Sequence, residues 1–403
     1  MSGIASFKAD MAQPTEMSGL GATTMRDLSS ALAELAAEAR ARSLEFEEHR
    51  KLAPDFADKL KRAGAFKVMV PADAGGLGGS LMEWLEMAMT LAEADASTGW
   101  VSAHANICAG LIYASAEPRF RDEFFSDPRA CAAWSNLSRV KVSEQADGIR
   151  ITGSWGFETG CTAATFVGGM VSLSPTTEGK PRLVAALAPA SEAAIEETWD
   201  PVGLAGTGSH DVHFQDVFVP WHRTFAWPAG RPRSSFPTAV FVPGAWFISM
   251  GAAATHLGLA RRALDEARNE LRGKTDRYTQ TPLLAHPATQ RTLEAAEGLW
   301  FACRAGLREA LGAIWETALR GEQPTEDMRI TARVATVTAT QRGAEIVRIA
   351  YDASGASAVR RAGVLQRLMR EASCLTHHIS ANQASYELTG RVRCGIDRLS
   401  FRV

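Results

Sequence analysis

No C-x-x-C pair occurs among the six cysteines of this 403-residue chain, Cys108, Cys131, Cys161, Cys303, Cys374 and Cys394. That scatter argues against zinc or a disulfide framework and fits reduced thiols in a cytoplasm. Excess charge is missing too: 43 basic and 45 acidic side chains leave a formal net charge of −2. Such a balance gives no electrostatic footprint for nucleic acid or an anionic membrane. No G-x-G-x-x-G follows a strand-like run, so no nicotinamide site is expected. Residues 1–24 lack the charged start and apolar run of a secretory leader and read as a flexible polar tail. One stretch, Ser234 to Ala260, lacks Asp, Glu, Lys and Arg altogether. A membrane span needs roughly 20 apolar residues. Pro237, Pro243, Thr255 and His256 interrupt this run, which therefore reads as a buried helix.

What is present divides by texture. With 46% hydrophobic residues the chain can bury a large core, and its length suggests two or three domains at about 100–200 residues each. Residues 25–128 read as helical. Leu28, Leu32, Leu35 and Ala39 keep an amphipathic rhythm, "PDFADKLKRAGAF" supplies a second helix stopped near Gly64, and "LMEWLEMAMTLAEADAS" begins a third. "TGWVSAHANICAGLIYAS" follows and carries His104. Residues 129–235 carry strand-like runs, "GIRITGSWGF", "TFVGGMVSL", "RLVAALA" and "DVHFQDVFV". Without crossover helices between them, an antiparallel sheet or small barrel is expected. Residues 236–403 are helical again. Met250, Leu257, Leu264 and Leu271 mark one seam, Leu293, Trp300, Leu307 and Ile314 a second, and Ile330, Val337, Val347 and Tyr351 a third. A fourth helix is expected over 364–390, which makes a four-helix bundle. Seams this apolar predict a homo-oligomer.

Helices, then a small β domain, then a bundle: this order resembles the acyl-CoA dehydrogenase superfamily. The strings "GAAATHLGLARRALDEARNELRGKT", "WDPVGLAGTGSHDVHFQDVFVP" and "GSWGFETGCTAATFVGGMV" carry the resemblance. It implies an α+β, mostly α fold with an N-terminal helical domain, a central antiparallel β domain and a C-terminal four-helix bundle. It also implies a flavin, whose ring reactivity is tuned by hydrogen bonds and an apolar wall. Phe157 and Thr159 in "WGFETG" match the aromatic near the ring and the hydroxyl beside N5. Trp134 and Ser135 in "AAWSNLS" match the ring edge, and Gly355 and Ser357 in "YDASGASAVRRAG" match a loop on the phosphate side. Arg272 and Lys274 in "LRGKT" are candidates to pair with phosphate. The turn from Gly203 to Ser209 reads as structural, with glycines chosen for φ > 0 and bordering the site.

The carboxylate base of an acyl-CoA dehydrogenase has no counterpart late in the chain. "LQRLMREASCLTHHISANQASYELTGR" is instead similar to the oxygenase components of two-component flavin-dependent monooxygenases, of the 4-hydroxyphenylacetate hydroxylase and dibenzothiophene monooxygenase type. In that family an Arg-Asp pair precedes an active-site histidine by seven residues; here Arg370-Glu371 precedes His378 at that spacing. His378 and His104 are therefore the candidate catalytic residues, since imidazole can stabilise an anion, pass a proton or deprotonate a phenol near neutral pH. Neighbouring helical side chains diverge by about 100°, so His377 is expected to face elsewhere. The resemblance implies a cytoplasmic enzyme that takes reduced flavin (FMN or FAD) from a separate reductase. With O2, through a peroxyflavin, it would oxygenate a small aromatic molecule, working as a homotetramer without metal, nucleic acid or membrane. Two other readings stay open: a dehydrogenase or other flavoenzyme acting on CoA esters, and a non-catalytic helical oligomer that has lost its flavin.

Overall fold

The computed structural model describes residues 24–176, 178–179, 182–226 and 246–398. Most of the tail (1–23) and the expected domain boundary at 235/236 lie outside the described residues. Thr24, placed in the tail by its sequence, belongs to the first helix: its hydroxyl accepts the Asp27 N–H, and Asp27 accepts the Thr24 N–H in return.

Five helices form the first layer: α1 (Met25–His49), α2 (Pro54–Arg62), α3 (Leu81–Ala94), α4 (Ala96–Ser115) and α5 (Pro118–Phe125). One residue, Asp95, separates α3 from α4, and its carboxylate accepts the Thr98 N–H at 2.7 Å, so one side chain caps α4 just where α3 ends. Among the described residues seven strands follow: β1 (Leu137–Glu144), β2 (Gly148–Glu158), β3 (Phe166–Leu173), β4 (Arg182–Pro189), β5 (Ala194–Glu196), β6 (His210–Pro220) and β7 (Thr224–Ala226). They make two antiparallel sheets, ordered β1-β2-β6-β5 and β3-β4-β7. Ile149, Ile151, Trp155 and Phe214 of the first sheet meet Val167, Val171, Ala186 and Ala188 of the second in a common core.

The last layer is α6 (Trp246–Arg272), α7 (Pro287–Leu319), α8 (Glu326–Ser354), α9 (Val364–Leu375) and α10 (Ala384–Arg393). Residues 251–260 of the uncharged stretch are buried throughout in α6. No helix among the described residues is long and apolar enough to cross a membrane. The three seams are buried, except that Trp300 and Tyr351 are half-buried. The expected fourth helix is broken: α9 stops at Leu375 and α10 resumes at Ala384. At the break the N–H groups of His377 and His378 reach back only three residues, to Cys374 and Leu375, the tighter pattern in which a helix often ends.

The Gly203–Ser209 turn also differs from its sequence reading. Positive φ falls on Leu204 (59°) and Gly208 (55°), not on Gly203 or Gly206. Gly203 is needed for space instead. A Cβ there would stand 2.6 Å from the backbone of Arg370 and Glu371, so the turn packs directly against α9. Gly203→Ala is expected to destabilise the protein by about 1–3 kcal/mol, the usual cost of overpacking a tight contact. Urea unfolding measures it, and a change below about 0.5 kcal/mol would show that α9 gives way freely.

Candidate active site

Because Asp95 fixes the start of α4, the 3.6-residue repeat sets Trp100, His104 and Cys108 on one helical face. Trp100 is 4% exposed and lies over Gly251 of α6, where a Cβ would come within 3.2 Å of the indole. Two imidazoles lean on that indole. His104 stands 6.1 Å from it between ring centroids, and His378, from the break after α9, meets it edge-on at 5.4 Å and 70°. The thiol of Cys108 reaches Nδ1 of His104 at 3.6 Å. Burial holds that thiol protonated, well above its ordinary range.

His378 is set by the turn around it. Its Nδ1 accepts the Ser380 N–H at 3.2 Å and lies 2.6 Å from the Ser380 hydroxyl. A backbone N–H can only donate, so Nδ1 is the acceptor nitrogen and the neutral ring carries its proton on Nε2. Buried Arg333 of α8 donates to the Ser380 carbonyl at 2.5 Å and to the Ser385 hydroxyl at 2.8 Å. Gln341 donates to the Ala381 carbonyl at 2.9 Å. The α8 side chains thus satisfy carbonyls that the broken helix releases. His377 is exposed, so the two histidines do face apart, although in a turn rather than on a helix.

Burial first, and Arg333 second, push the pKa of His378 down to about 4. Burial and then His378 push His104 to about 4 as well. Both rings are neutral at pH 7. With Nδ1 occupied, His378 offers Nε2–H, a donor, rather than a base for a phenol.

Thr159 follows β2 and faces α4. Its hydroxyl receives the Trp100 indole N–H at 3.2 Å and lies 3.0 Å from that of Ser209. The Ser209 hydroxyl in turn lies 2.8 Å from that of Thr207, which donates to the Leu204 carbonyl at 2.8 Å. Phe157 sits in a register shift of β2 against β6, with φ of 57°, 61% exposed and edge-on to Trp199 at 5.6 Å. An exposed aromatic kept at positive φ is a strained feature of the kind that collects at ligand sites. Ser135 bridges to β3, donating its N–H to the Gly168 carbonyl at 3.2 Å, while the Gly168 N–H binds the neighbouring Glu158 carboxyl at 3.1 Å. Trp134 turns to Phe225, 5.5 Å away, and its backbone bonds the Cys108 thiol.

Four candidates lie elsewhere. Lys274 binds Glu270 at 2.8 Å, the Ser354 carbonyl at 3.2 Å and the Ser357 hydroxyl, beside Gly355 at the C-terminal cap of α8; Arg272 is exposed. This group sits at the far end of α6, roughly 30 Å from Gly251 at 1.5 Å per residue. One chain therefore gathers Thr159, His104 and His378 at Trp100 and the Trp134 backbone at Cys108, sets Ser135 on β3 and Phe157 on Trp199, and holds Arg272, Lys274, Gly355 and Ser357 apart.

The Arg370-Glu371 pair is not a pair. Arg370 binds Glu47 at 2.6 Å and the Val202 carbonyl at 2.5 Å. Glu371 faces inward, 3.8 Å from Arg367, in a buried cluster with Asp95 and Arg262; burial raises its pKa. Trp100, Ser209 and Arg333 carry the site and were not singled out by sequence. The recurrence of Trp100, His104 and Cys108 every four residues was the available signal for the first.

Comparison with known proteins fits this geometry. Residues 21–127 match the family "Acyl-CoA dehydrogenase, N-terminal domain", and residues 250–383 match "Acyl-CoA dehydrogenase, C-terminal domain". Indole-3-acetate monooxygenase of Pseudomonas putida is 32% identical over 362 residues, covering 88% of this chain and 90% of that protein. The chain belongs to the acyl-CoA dehydrogenase superfamily, among its flavin-dependent monooxygenases. The oxygenase component of the FADH2-dependent resorcinol hydroxylase of Rhizobium sp. (strain MTP-10005) is 30% identical, covering 85% of this chain and 88% of its own. The crystal structure of 3-HSA hydroxylase from Rhodococcus sp. RHA1 superposes with a TM-score of 0.82 at 24% identity, covering 94% and 99% of the two chains; it shares the fold.

The neutral imidazoles of this monooxygenase make its stability pH-dependent. Unfolded histidine takes up a proton near pH 6.5, whereas folded His104 and His378 wait until about 4. Between those values the unfolded state binds more protons, so stability is full above about pH 6.5 and falls as pH drops towards 4. A loss of about 4 kcal/mol from pH 7.5 to 5, about 2 from each ring, is expected in urea unfolding. The double variant His104→Gln/His378→Gln should remove much of that slope, leaving the part due to buried His210 and His256. An unchanged slope would place both rings in water.

Proposed function

We propose that this chain is the oxygenase component of a two-component flavin-dependent monooxygenase that puts one oxygen atom of O2 on a small aromatic molecule. The observation that carries this reading is the pair of neutral imidazoles set against Trp100, beside a buried threonine hydroxyl. Phe157 offers an exposed aromatic face, Thr159 a hydroxyl and Ser135 a strand edge, and these residues fit a flavin ring. When bound, reduced flavin supplies the two electrons by which one oxygen enters the substrate and the other leaves as water. Thr159 would hold the ring at N5, and Trp134 and Ser135 would border its edge. His378 would offer its Nε2–H to an oxygen atom of the bound molecules, and Trp100 stands between the two histidines. Small aromatic substrates suit a site whose two imidazoles are neutral and set against an indole, and relatives are named for indole-3-acetate and resorcinol. A separate reductase supplies the flavin, because no nicotinamide motif is present.

A dehydrogenase needs a carboxylate aimed at the substrate. The acidic side chain that precedes this turn, Glu371, is spent inside the Arg367 cluster. Oxygen chemistry therefore fits the geometry better than α-proton removal.

His378→Ala should lower product formation by about 10²–10³-fold, within the range of one positioned acid–base group. Electrons from the reduced flavin should then appear as hydrogen peroxide. His378→Gln, which keeps a donor, should recover part of the loss, and exposed His377→Ala should change little. Equal small effects of the two alanine variants, in oxygen-consumption and product assays, would remove His378 from the chemistry.

The working unit is proposed to be a homotetramer. A groove of about 600 Å³ between α7 and α8, lined by Leu299, Cys303, Leu307, Met328 and Val334, lies beside Phe301, which is 67% exposed. A second copy would cover it. The group around Lys274, Gly355 and Ser357 would then serve a flavin whose ring lies in another copy. Sedimentation at micromolar concentration should give about four times the 43.3 kDa chain mass, and a monomer would overturn this.

A further inference from the structure

Four buried donors run in line from α4 to the Gly203–Ser209 turn: the Trp100 indole and the hydroxyls of Thr159, Ser209 and Thr207, each 8% exposed or less. The two ends of this line are fixed. An indole N–H can only donate, and the Leu204 carbonyl can only accept. With every hydroxyl oriented the same way, Trp100 donates to Thr159, Thr159 to Ser209, Ser209 to Thr207 and Thr207 to Leu204. All four protons are then used within the protein. In the reverse orientation Thr207 leaves Leu204, and the proton of Thr159 has no partner in the line. Buried donors left unpaired are disfavoured, so the first orientation is the resting one. In it, Thr159 has spent its proton and keeps one lone pair.

We infer that the Trp100–Thr159–Ser209–Thr207 line fixes the Thr159 hydroxyl as an acceptor and makes the site select a flavin that carries a proton on N5. This inference rests on the proposed placement of Thr159 at N5. Reduced flavin has an N5–H to donate to the remaining lone pair. Oxidised flavin has at N5 only a lone pair, and two acceptors face each other unless three hydroxyls reverse and Thr207 releases Leu204. Ser209 and Thr207 are positioning residues here, acting through Thr159. Their consequence is directional: the site takes its cofactor reduced and lets it go once oxidised.

The test is anaerobic titration of the purified protein with reduced and with oxidised FMN and FAD. Four forms are compared: the unaltered protein, Ser209→Ala, Thr207→Val and Thr159→Val. Cutting the line frees the Thr159 proton to serve either flavin. Ser209→Ala and Thr207→Val should each narrow the ratio of oxidised to reduced Kd by about five-fold, the worth of one hydrogen bond. The two-electron potential of the bound flavin should fall by about 20 mV, since tenfold corresponds to 29.6 mV. Thr207→Val keeps the side-chain shape and guards against a misfolded Ser209→Ala protein, and circular dichroism checks both. If Thr159→Val changes the ratio while the other two leave it within two-fold, Thr159 touches the flavin but the line does not set its polarity, and the inference fails. If Thr159→Val leaves both affinities unchanged, Thr159 is not at the ring, and the placement fails together with the inference.

Discussion

Burying the indole N–H of Trp100 obliges the fold to supply an acceptor, and that acceptor comes from another domain. Thr159 lies 59 residues on, at the end of a β-strand, yet it is the group that receives the N–H. The helical and β layers are therefore docked by a polar contact at the site itself. The register of α4 that allows this is set one turn earlier. Asp95 caps the helix, and buried Arg262 of α6 donates to the Ala94 carbonyl. Gly251 then leaves room for the ring. A slip of one residue along α4 would rotate Trp100 and His104 by about 100° and dismantle the site.

The broken helix after α9 follows from the same economy. A continuous helix would carry residue 378 along α9 without bringing Ser380 back to its ring. The break lets the Ser380 N–H find Nδ1, and Arg333 and Gln341 replace the helical bonds lost by the carbonyls of residues 380 and 381. Arg333 also leaves a positive charge near the ring, which disfavours imidazolium. Position and protonation state thus have one source. Asp95, Arg262, Arg367 and Glu371 form a buried cluster between the start of α4, α6 and α9, where removing one partner would strand the others at a cost of about 3–5 kcal/mol.

Long helices and the main strands were legible in the sequence because each has one strongly periodic apolar face. β1 was not, since its residues alternate only between exposed and half-buried and so carry no hydrophobic contrast. The break at 376–383 was missed because apolar spacing resumes beyond it, in α10, and conceals the interruption. His378 could be singled out by its spacing in a family pattern, although the acidic partner in that pattern turned out to pair with Arg367. Trp100 and Ser209 were illegible for a different reason. Their roles lie in contacts across 59 and 50 residues, and neither has a local signature. Glycine at 203 was read as a conformational choice and proved to be a choice of volume.

Charge distribution ties these features together. Around Trp100 the titratable rings are neutral, the thiol is protonated and the hydroxyls bond one another, so the polar groups there are satisfied without net charge. The nearest full charge is Arg333 of α8, held behind His378 on the Ser380 carbonyl and the Ser385 hydroxyl. The same neutrality keeps the donors available in fixed orientation, because groups that are already paired need not reorganise when charge develops on an oxygen atom. The low net charge of the whole chain and the low charge of the site thus have separate causes: the first is composition, the second is the placement of a few histidines and hydroxyls where burial keeps them neutral.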